Sequence, residues 1–202
     1  MKGKASFKSK LDIKHNKLPR NYAWRIKNWL RPDFIFNRIS AWLAKLYSKM
    51  TGIVVQTGEL YAIHNKADGT KVNLGHISSG VVTTAFVNFV VDQLQTETSV
   101  FGDFKYHDSG VGTTAAAITD TDIETTDGES RATGTQAEGA SANIYQSVGT
   151  IAYTSPKAIT EHGLFNASTG VTLMDRHVFS AVNVVNGESI QFTYELTCTA
   201  GG

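Results

Sequence analysis

"TEHGLFNASTGVTLMDRHVFSAVNVVNGESIQFTYELTC", residues 160–198, decides the fold. In its last part Ile190, Phe192, Tyr194, Leu196 and Cys198 alternate with Gln191, Thr193, Glu195 and Thr197. A period of two sends these sets to opposite sides of an extended chain, so the segment reads as a half-buried β-strand with one side in a core and the other wet. Asn186-Gly187 supplies the φ > 0 turn that leads into it from Val182, Val184 and Val185. Cys198, on the apolar side, reads as a small buried hydrophobe rather than a nucleophile.

The same texture extends back to Thr51. "GIVVQTGELYAIHN" and "KVNLGHIS" flank "KADGT", whose Asp68-Gly69 pair is a hairpin signal. "DFKYHDSG", "RATGTQAEG", "SANIYQSVGTIAYTS", "KAITEHGLFNA" and "LMDRHVFSAVNVV" follow, separated by Gly, Ser, Asn and Asp turns, which is the spacing of a sandwich or barrel. One helix interrupts them in "TTAFVNFVVDQLQTE", where Phe86, Phe89, Val90 and Leu94 form a helical stripe and Thr83 or Thr84 can cap it. The expected architecture is mainly β: an antiparallel, jelly-roll-like β-sandwich over residues 51–202 with one packed helix, preceded by a basic helical arm over residues 1–50.

The net charge of +1 over 202 residues conceals that division. Residues 1–50 hold 13 Lys or Arg against Asp12 and Asp33, a net of +11, and the remainder holds 6 basic and 16 acidic residues, a net of −10. All three tryptophans, Trp24, Trp29 and Trp42, lie on the basic side. Charge asymmetry on this scale marks two pieces with different surroundings. The first 20 residues read as a disordered or partner-ordered arm. In "NYAWRIKNWLRPDFIFNRISAWLAKLYSKM", Ile35, Ile39, Trp42, Leu43 and Leu46 recur at helical spacing with Arg38, Lys45 and Lys49 mainly opposite, and Pro32 divides the segment into helices at about 21–31 and 33–48.

A single cysteine excludes an intrachain disulfide and any metal site built on paired cysteines. No apolar run reaches the roughly 20 residues that span a bilayer, and no secretory signal opens the chain, so synthesis in a reducing cytoplasm is expected. "YHDSG" sets His107, Asp108 and Ser109 side by side, but neighbours in a strand point in alternate directions and cannot form a nucleophile-base-acid chain. "DTDIETTDGESR" has Thr125 and Arg131 where a calcium loop of the EF-hand type needs Gly and Glu, so it reads as a solvated acidic loop, with a calcium site of another type as the alternative. The six histidines include no pair at helical metal spacing, and the Gly-containing loops lack the pattern of a phosphate cradle. No catalytic residue, cofactor or metal is expected.

The basic arm is the segment whose composition asks for a partner. Lys and Arg interleaved with Trp, Phe and Tyr suit a phosphate backbone, an anionic membrane surface or an acidic protein groove. The alternatives are a helix pair that packs on its own protein with its charges wet, or an upstream extension of a protein that starts at Met50.

"DFKYHDSGVGTTA", "ESRATGTQAEGASANIYQSVGTI" and "AITEHGLFNASTGVTLMDRHVFSAVNVVNGESIQFTYELTCTAGG" together resemble a widespread group of small virion proteins of tailed bacteriophages, over about residues 51–202. That resemblance implies a non-enzymatic capsid- or neck-associated sandwich, present in many copies, with other virion proteins (capsid, portal or neck, or tail) and its own copies as partners, located in the virion after synthesis in the host. It also implies that "EHGLFNASTGVTLMDRHVF" is a core strand pair. A tail or tail-fibre component is the alternative placement, and a carbohydrate-binding module using Tyr106, Tyr145 and Tyr153 is a further one. Residues 1–50 depart from the resemblance. They supply the expected anchoring residues Trp24, Trp29, Trp42, Arg25, Arg31, Arg38, Ile35, Ile39 and Leu46, with nucleic acid a possible partner of the basic arm and a membrane a less favoured one.

Overall fold

The computed structural model of the protein describes residues 22–51, 54–95, 103–170 and 172–199. The basic segment 1–20 lies outside them. Asp68-Gly69 does turn a hairpin, joining β1 (Val55–Asn65) to β2 (Lys71–Ser79). Gly69 adopts φ +81°, and the Asp68 carboxylate accepts the Thr70 N–H at 2.9 Å.

The alternating strand of the opening segment is β10 (Ser189–Thr199), and it occupies the middle of its sheet. It pairs along its whole length with β1, from Val55 opposite Thr199 to Asn65 opposite Ser189. Its other edge pairs with β7 (Ile144–Ala152), which carries β6 (Thr135–Glu138). The first sheet therefore runs β2-β1-β10-β7-β6. The second runs β3-β9-β8-β4-β5 and comprises β3 (Val81–Val82), β9 (Leu173–Val184), β8 (Lys157–Phe165), β4 (Tyr106–Gly110) and β5 (Ala132–Thr133). Every pairing is antiparallel, and the two sheets form a β-sandwich.

Ile190, Phe192, Tyr194 and Leu196 are buried in the space between the sheets, while Gln191, Thr193, Glu195 and Thr197 are half-buried on the other side. Leu60, Ile77, Ile151, Leu164, Phe179 and Val182 complete the packing. Each fully buried side chain of this size contributes about 1.5–3 kcal/mol relative to exposure. Cys198 departs from expectation. It is only partly buried, because at the end of β10 the cover over the apolar side runs out.

The Asn186-Gly187 turn differs from a hairpin. Gly187 has φ +83°, as the dipeptide requires, but β9 and β10 belong to different sheets. Turn chemistry fixes the local backbone and leaves open which strands pair. Here Gly187 N–H donates to Tyr153 O at 3.0 Å and Tyr153 N–H to Glu188 O at 2.9 Å, so the crossing is held against the end of β7.

Helix α3 (Thr84–Gln95) is capped by Thr83, whose hydroxyl oxygen accepts the Phe86 N–H at 3.2 Å. Phe86 and Phe89 meet Phe104 edge to face at 5.1 and 4.9 Å. Leu94, expected on the same stripe, is exposed.

Candidate interaction surface

An eight-residue helix is marginal alone, so α1 (Tyr22–Trp29) depends on what it touches. Asn28 is fully buried beneath it. Its Nδ2 donates to Ile77 O in β2 at 2.7 Å, and its Oδ1 accepts Ser180 N–H in β9 at 2.8 Å, so one amide joins an edge of each sheet. Trp24 Nε1 donates to Ala181 O at 2.9 Å while its ring packs on the core. The Arg25 guanidinium lies against Gly75, whose φ of +71° is a backbone conformation that favours glycine.

Pro32 begins α2 (Pro32–Thr51) instead of preceding it, since the first turn of a helix has no use for the missing N–H. Arg31 is bound to Asp33 in that turn, with Nε 3.0 Å and Nη2 2.6 Å from the two carboxylate oxygens. That contact, with burial opposing it, holds the Asp33 carboxyl below its ordinary value.

The docked face of α2 is small and polar. Phe34 is buried, Asn37 Nδ2 donates to Ser79 O at 3.1 Å, and Ser40, Ala41 and Ala44 face β1 and β3 across an open cleft. The apolar face looks the other way. Ile35, Ile39, Trp42, Leu43, Leu46 and Tyr47 are all 43–63 % exposed, and Phe36, also exposed, lines the rim of the cleft. They cover an arc wider than the roughly 100° that suffices to bury a helix on a domain. Arg38 lies at the border of this arc, its guanidinium 5.9 Å from the Trp29 ring centre and 5.8 Å from that of Phe34.

The nine expected anchoring residues thus divide. Trp24, Arg25 and Arg31 are engaged within the molecule. Trp29, Arg38, Ile35, Ile39, Trp42 and Leu46 share the outward surface. The helix pair packs on its own protein through Trp24, Asn28, Phe34 and Asn37 and keeps Arg25, Lys27 and Arg38 exposed, but it also leaves large apolar side chains of α2 wet. The apolar spacing located this face, but periodicity does not say whether a stripe turns inward.

Outside this surface the polar chemistry is interior. The neighbours His107, Asp108 and Ser109 each have separate partners. His107 contacts His162 Nε2 at 3.0 Å and Ser147 Oγ at 2.9 Å, Asp108 accepts Arg131 Nε at 2.8 Å, and Ser109 Oγ donates to Asp127 at 2.5 Å. Opposite His162 in the β8–β9 pairing stands His177, 3.6 Å from Asp175, which accepts the Tyr194 hydroxyl at 3.1 Å. Burial pushes His107 and His177 down to about 3, pushes His162 well down, and pushes Asp175 well up. The acidic loop is not simply solvated. Fully buried Glu161 accepts the N–H groups of Gly112, Glu124 and Thr125 at 2.8–2.9 Å and Arg176 Nε at 2.9 Å, and Arg176 reaches Asp120 at 3.0 Å. Nothing in strand alternation marks these residues as interior, since β8 and β9 are buried on both sides.

Among the described residues no group of three or more His, Cys, Asp and Glu is arranged to hold a metal ion. The tyrosines of the carbohydrate reading do not form an open platform. Tyr153 is buried, Tyr145 donates to Phe104 O, and Tyr106 is half-buried with Lys105 Nζ 5.8 Å from its ring centre. Comparison with protein-family models, with curated proteins and with solved structures finds no match for this chain.

Proposed function

We propose that the protein is a non-enzymatic structural component of a tailed-bacteriophage virion, a capsid- or neck-associated β-sandwich fixed to the particle through the outward face of α2. The observation that carries this reading is that face itself. A domain with a closed core leaves Ile35, Ile39, Trp42 and Leu46 uncovered on one helical stripe. Contiguous exposed apolar surface of this extent marks an interaction site. Tryptophan and arginine, here Trp29, Trp42 and Arg38, are the residue types in which binding energy concentrates. Interior Glu161 and Asp108 are bound to backbone and to Arg176 and Arg131, an arrangement suited to holding strands and a loop in place.

The test is the composition of particles purified from cells that make the chain, with head, neck and tail fractions separated and copy number measured by mass spectrometry. The wild-type chain is expected in the head or neck fraction in multiple copies. Trp42→Ala together with Ile39→Ala is expected to fold normally and to be lost from it. Absence of the wild-type chain from every fraction, or full incorporation of the double variant, refutes the proposal, and recovery with the tail moves the placement there.

A further inference from the structure

The outward face of α2 needs an occupant, and the molecule carries a surface of matching character. Along α3, Val87, Val91 and Leu94 are exposed. Beside them opens an apolar recess of about 290 Å³ lined by Phe86, Val90, Phe104, Met174, Leu196 and Cys198. This is the second helix of the fold to leave a row of large aliphatic side chains in water. The two helices rest on different supports, α2 on β1 and β2 and α3 on β9.

Their charges are opposite. Residues 22–51 hold six Lys or Arg against Asp33 alone. The described residues 84–95 and 103–127 hold seven Asp or Glu against Lys105 alone, and the acidic loop meets the start of α3, where Thr84 N–H donates to Ile118 O at 2.9 Å. Arg131 and Arg176 offset part of that excess through Asp108, Asp120 and Glu124, yet Asp122 remains largely exposed. Pairing α2 with another α2 would bring together two basic segments, with Arg38 at the border of each apolar arc. Pairing α2 with α3 joins apolar to apolar and brings a basic segment beside an acidic one, the arrangement that complementary interfaces adopt.

We infer that the α2 face of one copy docks on the α3 face and recess of a second copy, so that the chain assembles head to tail. This rests on the reading of the α2 face as an assembly surface and names its partner. An α2 of 20 residues is about 30 Å long. Two different patches that fit each other make a heterologous contact, which closes into a ring or continues as a helical array. Either suits a protein present in many copies.

Sedimentation velocity on the purified full-length chain at about 5–50 μM tests this, with circular dichroism melts to verify that each variant folds. The wild type is expected to form species larger than a dimer whose population falls at least tenfold as salt rises from roughly 50 to 500 mM, because the opposite charges are screened. Ile39→Asp on α2 and Val91→Asp on α3 are each expected to be monomeric, with Leu94→Glu as a second, more exposed α3 variant. An equimolar mixture of Ile39→Asp and Val91→Asp is expected to form dimers and stop there, since each pair retains one intact α2 and one intact α3. A monomeric wild type at 50 μM overturns the inference, as does assembly unchanged by both α3 variants, or a mixture that stays monomeric. A monomeric wild type that is still recovered in particles overturns self-docking and leaves the virion role standing. In vitro assembly without recovery in particles does the reverse.

Discussion

Asn28→Ala is the most direct probe of whether α1 belongs to the sandwich. The amide is fully buried and satisfies two backbone groups of different strands, Ile77 O at 2.7 Å and Ser180 N–H at 2.8 Å. Alanine leaves both without a partner. A buried polar group stripped of its hydrogen bond costs about 1–3 kcal/mol, so the pair predicts a loss of about 2–6 kcal/mol while α1 stays in place. The loss has a ceiling. If lifting α1 away from β2 and β9 is cheaper, water reaches both groups and the deficit stops at the free energy of docking. The two regimes separate experimentally. Urea denaturation gives the global loss as a shift in midpoint at constant slope, and hydrogen exchange of peptides covering residues 22–34 gives the local one. Asn28→Asp keeps the acceptor for Ser180 but presents a carboxylate to the Ile77 carbonyl, and is expected to cost at least as much. A midpoint within about 0.5 kcal/mol of wild type, with unchanged protection of residues 22–34, refutes the docking argument.

Stability is expected to fall from pH 7 to pH 5. His107, His162 and His177 are held far below their unfolded value of about 6.5, so their contribution is complete above that pH and is lost as protons bind the unfolded chain below it. Asp175, pushed up, works in the opposite sense, but it is one group against three, so the net is a loss and an unchanged or higher urea midpoint at pH 5 contradicts it. Glu161→Gln removes the charge facing buried Arg176 and is expected to cost about 3–5 kcal/mol and to admit protease into residues 111–131; resistance of that loop would rule out its anchoring role. Phe192→Ala should cost about 3–5 kcal/mol and Thr193→Ala less than about 0.5 kcal/mol in a monomeric preparation, and the reverse order would shift the register of β10 by one residue.

The half-wet strands were legible because burial on one side leaves a period of two in the residue types. β10 is the plain case, and the Asp68-Gly69 hairpin followed from its turn dipeptide. β8 and β9 were harder. Glu161, His162, Asp175, Arg176 and His177 look like surface residues in sequence, yet all are buried, because one side of their sheet meets the other sheet and the opposite side is covered by the acidic loop and α1. Their partners lie 15 to 56 residues away, beyond the reach of local pattern. The same holds for α2. Spacing identified Ile35, Ile39, Trp42 and Leu46 as one stripe, while the choice of Asn37, Ala41 and Ala44 as the docked side depends on how closely a helix of small residues can approach β1 and β3. Asn28 carried no sequence signal, since a lone Asn in a basic helix is ordinary.

The full-length pairing of β1 with β10 sets the order in which this protein can come into being. β1 is among the first segments of the sandwich to leave the ribosome, and its central neighbour is the last described strand. Until β10 arrives, the first sheet is split into β2-β1 and β7-β6, and Leu60, Ile151 and their neighbours have no cover. Contacts of such sequence separation form slowly, and chains waiting on them expose aggregation-prone edges. The apolar face of α2 is synthesised earlier still. A nascent chain therefore carries the apolar stripe of α2 long before it has a core. A chain interrupted anywhere before Ser189 keeps that stripe and lacks the strand that joins the two halves of the first sheet.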